Sequence, residues 1–148
     1  ENFEKHTKLK GSFRYFISLL EALFHIKWHE FEVSIDGGPF ERKKGLIVAL
    51  CNGQNIGGGI QICPVANPKD NYLDFMFVSC FKKITLPKKL IQLMSGKIFK
   101  FKETQHIKCK KAVFKDQNNV TLQIDGNITR EYNEYRCEIV EKGINMYL

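Results

Sequence analysis

The chain has 148 residues, a net charge of +7 and 43% hydrophobic residues, enough for one domain with a real core and too little for two comfortable ones. No run of about 18 apolar residues occurs, so no helix of this sequence is suited to cross a bilayer. The first residues, Glu1, Glu4 and Lys5 among them, are charged, which does not suit a signal peptide, and the missing initial Met suggests a fragment. The five cysteines, Cys51, Cys63, Cys80, Cys109 and Cys137, are odd in number and form no Cys-x-x-Cys pair. They read as buried thiols in a reducing compartment rather than as disulfides or a zinc ribbon, so two glycosylation-like sequons at Asn119 and Asn127 read as chance matches.

In chain order, Phe13, Phe16, Ile17, Leu20, Leu23, Phe24 and Trp28 fall at helical spacing and predict an amphipathic helix over Phe13–Trp28. The period then becomes two: Phe31, Val33 and Ile35 alternate with polar residues and end at the turn Asp36-Gly37-Gly38-Pro39. The continuous apolar run within Gly45–Asn52 suits a strand buried on both faces, Gln61–Pro64 is short and extended, and Tyr72–Phe81 predicts another strand. Leu86-Pro87 opens a short helix over Lys88–Met94, closed by Ser95-Gly96. Strands are then expected at Ile98–Thr104, Ile107–Phe114, Val120–Ile124, Ile128–Arg130 and Tyr135–Val140. Strands that do not alternate with helices argue against a parallel doubly wound sheet. The expected fold is therefore mainly β: an antiparallel sandwich or barrel with one N-terminal amphipathic helix and one short peripheral helix.

Three local patterns could carry chemistry, and each has a plain structural alternative. Asn52-Gly53-Gln54-Asn55-Ile56-Gly57-Gly58-Gly59 follows a buried strand; its glycines permit close backbone approach to a ligand, or simply a wide bend. It lacks the Lys-Ser/Thr of a nucleotide phosphate loop. Asp70 and Asp74, four apart with carbonyls between them, could hold a hard cation, or Asp70 could cap a turn. Asp125, in Gln123-Ile124-Asp125-Gly126-Asn127, follows a strand whose Val120, Leu122 and Ile124 alternate inward. It is either a hairpin turn residue or a rim carboxylate able to take a proton from an alcohol. His25 and His29 are four apart without the Glu of a zinc helix, and no Cys–His pairing is visible. Between Lys82 and Lys115 stand eleven lysines and one acid, Glu103. That band suits a solvated face, an anionic membrane surface or nucleic acid; Phe99, Phe101 and Phe114 within it read as core rather than as a base-stacking platform.

The order of these signals is more specific than any one of them. A strand, Asn52-Gly53, Gly57-Gly58-Gly59, Pro64-x-Ala66, Asp70-x-x-Leu73-Asp74 and, some fifty residues on, Asp125-Gly126 together resemble the C-terminal domain of the diacylglycerol kinase family of bacterial lipid kinases, itself similar to sphingosine and ceramide kinases. The resemblance covers nearly the whole chain. It implies a β-sandwich that forms the substrate side of a two-domain kinase, whose N-terminal domain binds ATP through a Gly-Gly-Asp-Gly-Thr motif absent from this sequence. It further implies phosphoryl transfer to a lipid alcohol such as diacylglycerol, at the inner face of the membrane in the cytoplasm, with an anionic lipid surface rather than nucleic acid as partner. Independently of the resemblance, an exposed sheet edge could pair two domains as a homodimer, though nothing in the spacing demands it. Residue by residue, Asp125 matches the general base, and Asp70 with the carbonyls of Leu73 and Phe75 matches a structural Mg²⁺ site. Asn52, Gly57, Gly58, Gly59, Gly126 and Asn127 match the cleft. Two positions depart from the family pattern. Asn127 stands where Glu is usual, and an amide cannot supply the charge that would help hold a catalytic Mg²⁺ or tune the base. Asn71 stands where Gly is frequent, a mild change because Asn tolerates the left-handed conformation. A basic module that binds anionic lipid without catalysis is the alternative.

Overall fold

The computed structural model describes residues 27–56, 59–115, 122–125, 127–129 and 133–140. The helix expected at Phe13–Trp28 lies outside them except for its last two residues.

Among the described residues there are ten strands: β1 (His29–Ile35), β2 (Glu41–Cys51), β3 (Asn55–Ile56), β4 (Ile60–Gln61), β5 (Leu73–Ser79), β6 (Thr104–Cys109), β7 (Lys111–Lys115), β8 (Leu122–Ile124), β9 (Asn127–Thr129) and β10 (Glu134–Glu138). An α-helix, α1 (Leu86–Met94), lies between β5 and β6. Six strands form one sheet in the order β10-β7-β1-β2-β5-β6, with every pairing antiparallel. The pairs β3–β4 and β8–β9 form separate two-stranded ribbons.

The sheet order conceals a closure. β6 lies at one end and β7 next to the other end, yet only Lys110 separates them in sequence. Residues 104–115 are therefore one bent strand that pairs with β5 through its first half and with β1 through its second. The circuit β1-β2-β5-β6/β7-β1 curls the sheet into two layers, which is the sandwich-like antiparallel architecture expected from the sequence. Asp36, in the turn after β1, fixes the bend: its Oδ1 accepts the Lys110 and Lys111 N–H groups at 2.8 Å each, and its own N–H donates to the Lys111 carbonyl at 2.9 Å.

Alternation along β2 and β5 supplies a core to each face. Phe75 and Phe77, with Leu73, Val33, Cys109 and Ala112, form the inner cluster, against which Phe31, Ile35, Leu50 and Phe114 pack. Met76 and Val78 point the other way, with Cys51, Ile62, Cys63, Ala66, Ile98 and Phe101. That second face is covered by the 52–72 loop and by α1, whose Leu86 and Leu90 are buried. Pro87 sits in the first turn of α1, and Gly96, at φ +68°, ends it in the left-handed conformation that glycine adopts without strain. Lys89 anchors the helix: its ammonium lies 4.6 Å from the Phe81 ring centre and 4.5 Å from that of Phe101, and it donates to Glu103 at 2.5 Å.

Four sequence expectations are corrected. Ile98–Lys100 is a 3₁₀ turn rather than a strand, because buried Ile98 and Phe101 are three apart and plug the core from one short turn. Ile107–Phe114 is broken at Lys110 by the bend. β2 begins at Glu41, before the apolar run, because its charged first half pairs with β1. Cys80 is exposed, not buried, since it falls just beyond the end of β5.

At Gly45 the β2–β5 register shifts, and an added Cβ would stand 2.3 Å from the Val78 carbonyl oxygen and 2.6 Å from the Phe77 ring. Gly45→Ala is expected to cost about 1–3 kcal/mol and Phe75→Ala about 3–5 kcal/mol in urea unfolding. A Gly45→Ala variant with an unchanged midpoint would show that the bulge yields freely.

Candidate functional site

The loop after β2 carries the first group of expected site residues. Asn52 is exposed at the end of β2. The chain then folds into the β3–β4 ribbon, where Gly59 stands at φ +80° with open space where a side chain would project. Gly57 and Gly58 lie outside the described residues. Beyond the ribbon the loop closes on itself: the Gln54 carbonyl accepts the Cys63 N–H at 3.1 Å, the Cys63 carbonyl accepts the Ala66 N–H at 3.0 Å, and Gln54 Nε2 donates to the Ala66 carbonyl at 3.3 Å. These bonds drive Cys63 and Ala66 into the core and leave the glycine ribbon outside it.

The two acids of the next motif go to different partners. Asp70 Oδ1 accepts the Tyr72 N–H at 3.0 Å, an Asx turn, while Oδ2 pairs with the Lys108 ammonium. Asn71 adopts φ +61°, the left-handed conformation for which glycine is usual. Lys108 holds the Asp70 carboxyl below the usual carboxylate range. Asp74 is fully buried on β5; its Oδ1 lies 2.6 Å from His106 Nε2, and its Oδ2 has no partner. Cys63, Asp74 and His106 bring their ligand-type atoms within 4.8 Å of one another. The sequence did not place His106 in this group, because the contact depends on the β5–β6 register, in which Met76 pairs with His106 and Asp74 with Lys108.

A hard cation at Asp70 does not fit this arrangement as it stands. Both carboxylate oxygens are engaged and the ammonium already supplies the positive charge, whereas Mg²⁺ demands a near-octahedral shell of oxygens. Leu73 and Phe75 are strand residues of β5, paired with Cys109 and Ile107. A cation bridging Asp70 to their carbonyls would have to displace Lys108.

Asp125 turns the β8–β9 ribbon. Ile124 pairs with Asn127 across the turn, and Asp125 takes φ +45°, as a type I′ turn requires of its first central residue. Gly126 itself lies outside the described residues. The Asp125 and Asn127 side chains are exposed. Ile124, expected to face inward, is 55% exposed, and Ile128 is 68% exposed. The reason is that the ribbon pairs with no strand of the main sheet among the described residues, so neither of its faces gains cover from that sheet. The chain thus offers an open carboxylate at the tip of the ribbon, with Ile124 bare on one face and Ile128 bare on the other.

Removing the Lys108 ammonium frees the Asp70 carboxylate. In Lys108→Ala, the Asp70 carboxyl is expected to titrate at higher pH by carboxyl NMR than in the parent, because the pairing that favours its charged form is lost. Mg²⁺ is expected to raise the thermal midpoint of that variant while leaving the parent unchanged. A parent already stabilised by Mg²⁺ would show that the ion displaces Lys108 unaided.

Comparison with known proteins now places the fold. A family profile described as the YegS C-terminal NAD kinase beta sandwich-like domain matches residues 1–141. Among solved structures, the chain is similar to two crystal structures from Bacillus anthracis str. Sterne, the first named a diacylglycerol kinase and the second named provisionally as one. The first shares 16% identity, with 88% of this chain and 44% of that one covered and a TM-score of 0.63. The second shares 18% identity, with 84% and 39% covered and a TM-score of 0.59. The chain thus spans less than half the length of each. No curated protein matches it. The bent antiparallel sheet and the profile match over nearly the whole sequence agree: the chain belongs to the YegS C-terminal, NAD kinase β-sandwich-like domain family.

Proposed function

We propose that this chain is the substrate-side domain of an ATP-dependent lipid kinase that transfers the γ-phosphate of ATP to the hydroxyl of a lipid such as diacylglycerol. The observation that carries the proposal is the Asp125 turn: an open carboxylate at the tip of a ribbon whose flanking Ile124 and Ile128 are bare. A bare isoleucine beside a carboxylate suits an amphipathic alcohol, with the hydroxyl at Asp125 and the hydrocarbon against the isoleucine of one ribbon face. Family membership and the likeness to proteins assigned as diacylglycerol kinases support the same reading.

In this reading Asp125 accepts the hydroxyl proton while the lipid oxygen attacks the γ-phosphorus. The new P–O bond forms as the bond from that phosphorus to the β–γ bridging oxygen breaks, and ADP leaves. Such a transfer rests on positioning and charge neutralisation, so one base on this side of a cleft suffices. Nucleotide and its Mg²⁺ would be held by a separate ATP-binding domain. Asn127 gives no negative charge beside Asp125, so metal binding would fall to that domain. Asn52 and Gly59 would line the cleft.

The surface around α1 suits a cytoplasmic membrane face. Ile84 is 85% exposed, Ile91 61% and Met94 51%, and Lys82, Lys88, Lys97, Lys100 and Lys102 of the same stretch of chain are exposed too. Bare aliphatic residues together with exposed lysines fit anionic headgroups above an acyl layer, at roughly 1 kcal/mol per near-surface lysine. Not every lysine of the band is available: Lys89 and Lys108 are committed to Glu103 and Asp70. The same surface would serve a non-catalytic lipid-binding module, which the Asn127 amide favours.

The test is a radiolabelled-ATP assay on the polypeptide that joins this chain to an ATP-binding domain, with diacylglycerol in phosphatidylglycerol vesicles and Mg²⁺. Asp125→Asn is expected to lower lipid labelling by at least about 100-fold with the fold intact by circular dichroism. Labelling unchanged in the variant would remove Asp125 from the chemistry, and no labelling in the parent would favour the module. Separately, Ile84→Ser with Ile91→Ser is expected to weaken binding of this chain to phosphatidylglycerol vesicles by about tenfold or more. Unchanged vesicle binding would move the membrane contact elsewhere.

A further inference from the structure

Beneath the 52–72 loop lies a cluster that the kinase reading does not use. Cys63 and Asp74 are fully buried, and His106 closes the group with its side chain 23% exposed. Three elements contribute: Cys63 from the loop, Asp74 from β5 and His106 from β6. Their sulfur, oxygen and nitrogen atoms lie within 4.8 Å of one another, and Asp74 Oδ2 is buried without a partner. A buried carboxylate oxygen with nothing to accept from is costly, and native structures rarely leave one so. One hydrogen bond from His106 accounts for Oδ1 alone. Cys51, the cross-strand partner of Asp74, packs in the same buried cluster as Cys63.

We infer that Cys63, Asp74 and His106 bind a borderline transition-metal dication of the zinc type, a site separate from the Asp70 turn. The donor set decides the metal class. Thiolate and imidazole select zinc-type ions over Mg²⁺ or Ca²⁺, which take oxygen. The charges also decide it, because thiolate and carboxylate together neutralise a dication, while the nearby Lys108 is already neutralised by Asp70. Donor atoms around a tetrahedral zinc stand about 3.3–3.8 Å apart, so Asp74 and His106 need open by only about 1 Å. Binding forms bonds to Sγ, Nε2 and a carboxylate oxygen. The Cys63 proton leaves to solvent, the His106 proton resides on Nδ1, and nothing is oxidised or reduced. Three protein donors leave the fourth position of the tetrahedron to a water, and the ion would fasten the loop bearing Asn52 and Gly59 onto β5 and β6.

The inference is tested on the whole chain, stripped with chelator and titrated with Co²⁺ and then Zn²⁺. One equivalent of Co²⁺ is expected to bind with a thiolate-to-cobalt charge-transfer band, to be displaced by Zn²⁺, and Zn²⁺ is expected to raise the thermal midpoint. Cys63→Ser is expected to abolish the band, and His106→Gln to weaken binding at least about 100-fold, since loss of even an outer-shell partner costs 10–100-fold. Cys80→Ser, at an exposed thiol elsewhere, is expected to change neither. A folded parent that binds no Co²⁺ overturns the inference, as does a band that survives Cys63→Ser or disappears in Cys80→Ser. The parent titration decides the matter even if Cys63→Ser does not fold. None of these outcomes depends on kinase activity, so failure here leaves the lipid-kinase reading untouched.

Discussion

The Asp36 carboxylate holds the bend on which the domain depends. Residues 104–115 must leave β5 and join β1, and at that crossing two successive N–H groups, from Lys110 and Lys111, lose strand partners. Asp36 Oδ1 accepts both at 2.8 Å. Charge-assisted bonds of this kind are worth more than neutral ones, and here one carboxylate oxygen serves two successive amides. Because the bend fixes where β6 lies against β5, it also sets His106 against Asp74 and Lys108 against Asp70. The polar groups under the 52–72 loop are therefore placed by a bend only a few residues further along the strand that carries them.

How far the sequence announces this architecture depends on how local the cause is. β1, β5 and α1 are legible because their patterns answer to their own surroundings: alternation in Phe31, Val33 and Ile35, a doubly buried run from Leu73 to Val78, and proline and glycine at the helix ends. Asn71 is legible too, as a residue able to take a left-handed turn that it does take. What fails to show is whatever depends on distant partners. The bend at Lys110 has no glycine or proline to mark it. The first half of β2 is charged and is a strand only because β1 lies beside it. Ile98–Lys100 alternates well enough to pass for a strand, yet its spacing of three between Ile98 and Phe101 serves a single 3₁₀ turn.

The site residues divide in the same way. Asp125 and Gly59 are recognisable as turn residues and occupy turns. Asp70 and Asp74 look like a pair when counted along the chain, but one belongs to the surface and a lysine, the other to the interior and a histidine. Spacing of four in a loop that runs into a strand carries no promise of convergence. The lysine band likewise resolves into different roles: Lys89 is packed between two aromatic rings as a structural post, while the lysines near Ile84 and Ile91 in sequence, Lys82, Lys88 and Lys97, are exposed. A count of charges could not separate the two.

The closed circuit of strands also has a temporal side. β1 pairs with β7 across more than seventy residues of intervening chain, Ile35 with Ala112 and Glu32 with Lys115. Such contacts return nothing until the whole loop between them has been confined, so folding rates fall as the mean separation of contacting residues rises. The β1–β2 hairpin can form early from its own turn, whereas Asp36 meets its two amides only when residues 110 and 111 have arrived. Until then the phenylalanine-rich inner face has no opposite layer. A nascent chain that stalls before that point presents aromatic strand surface to its neighbours, so the bend that completes the domain also ends its exposure to aggregation.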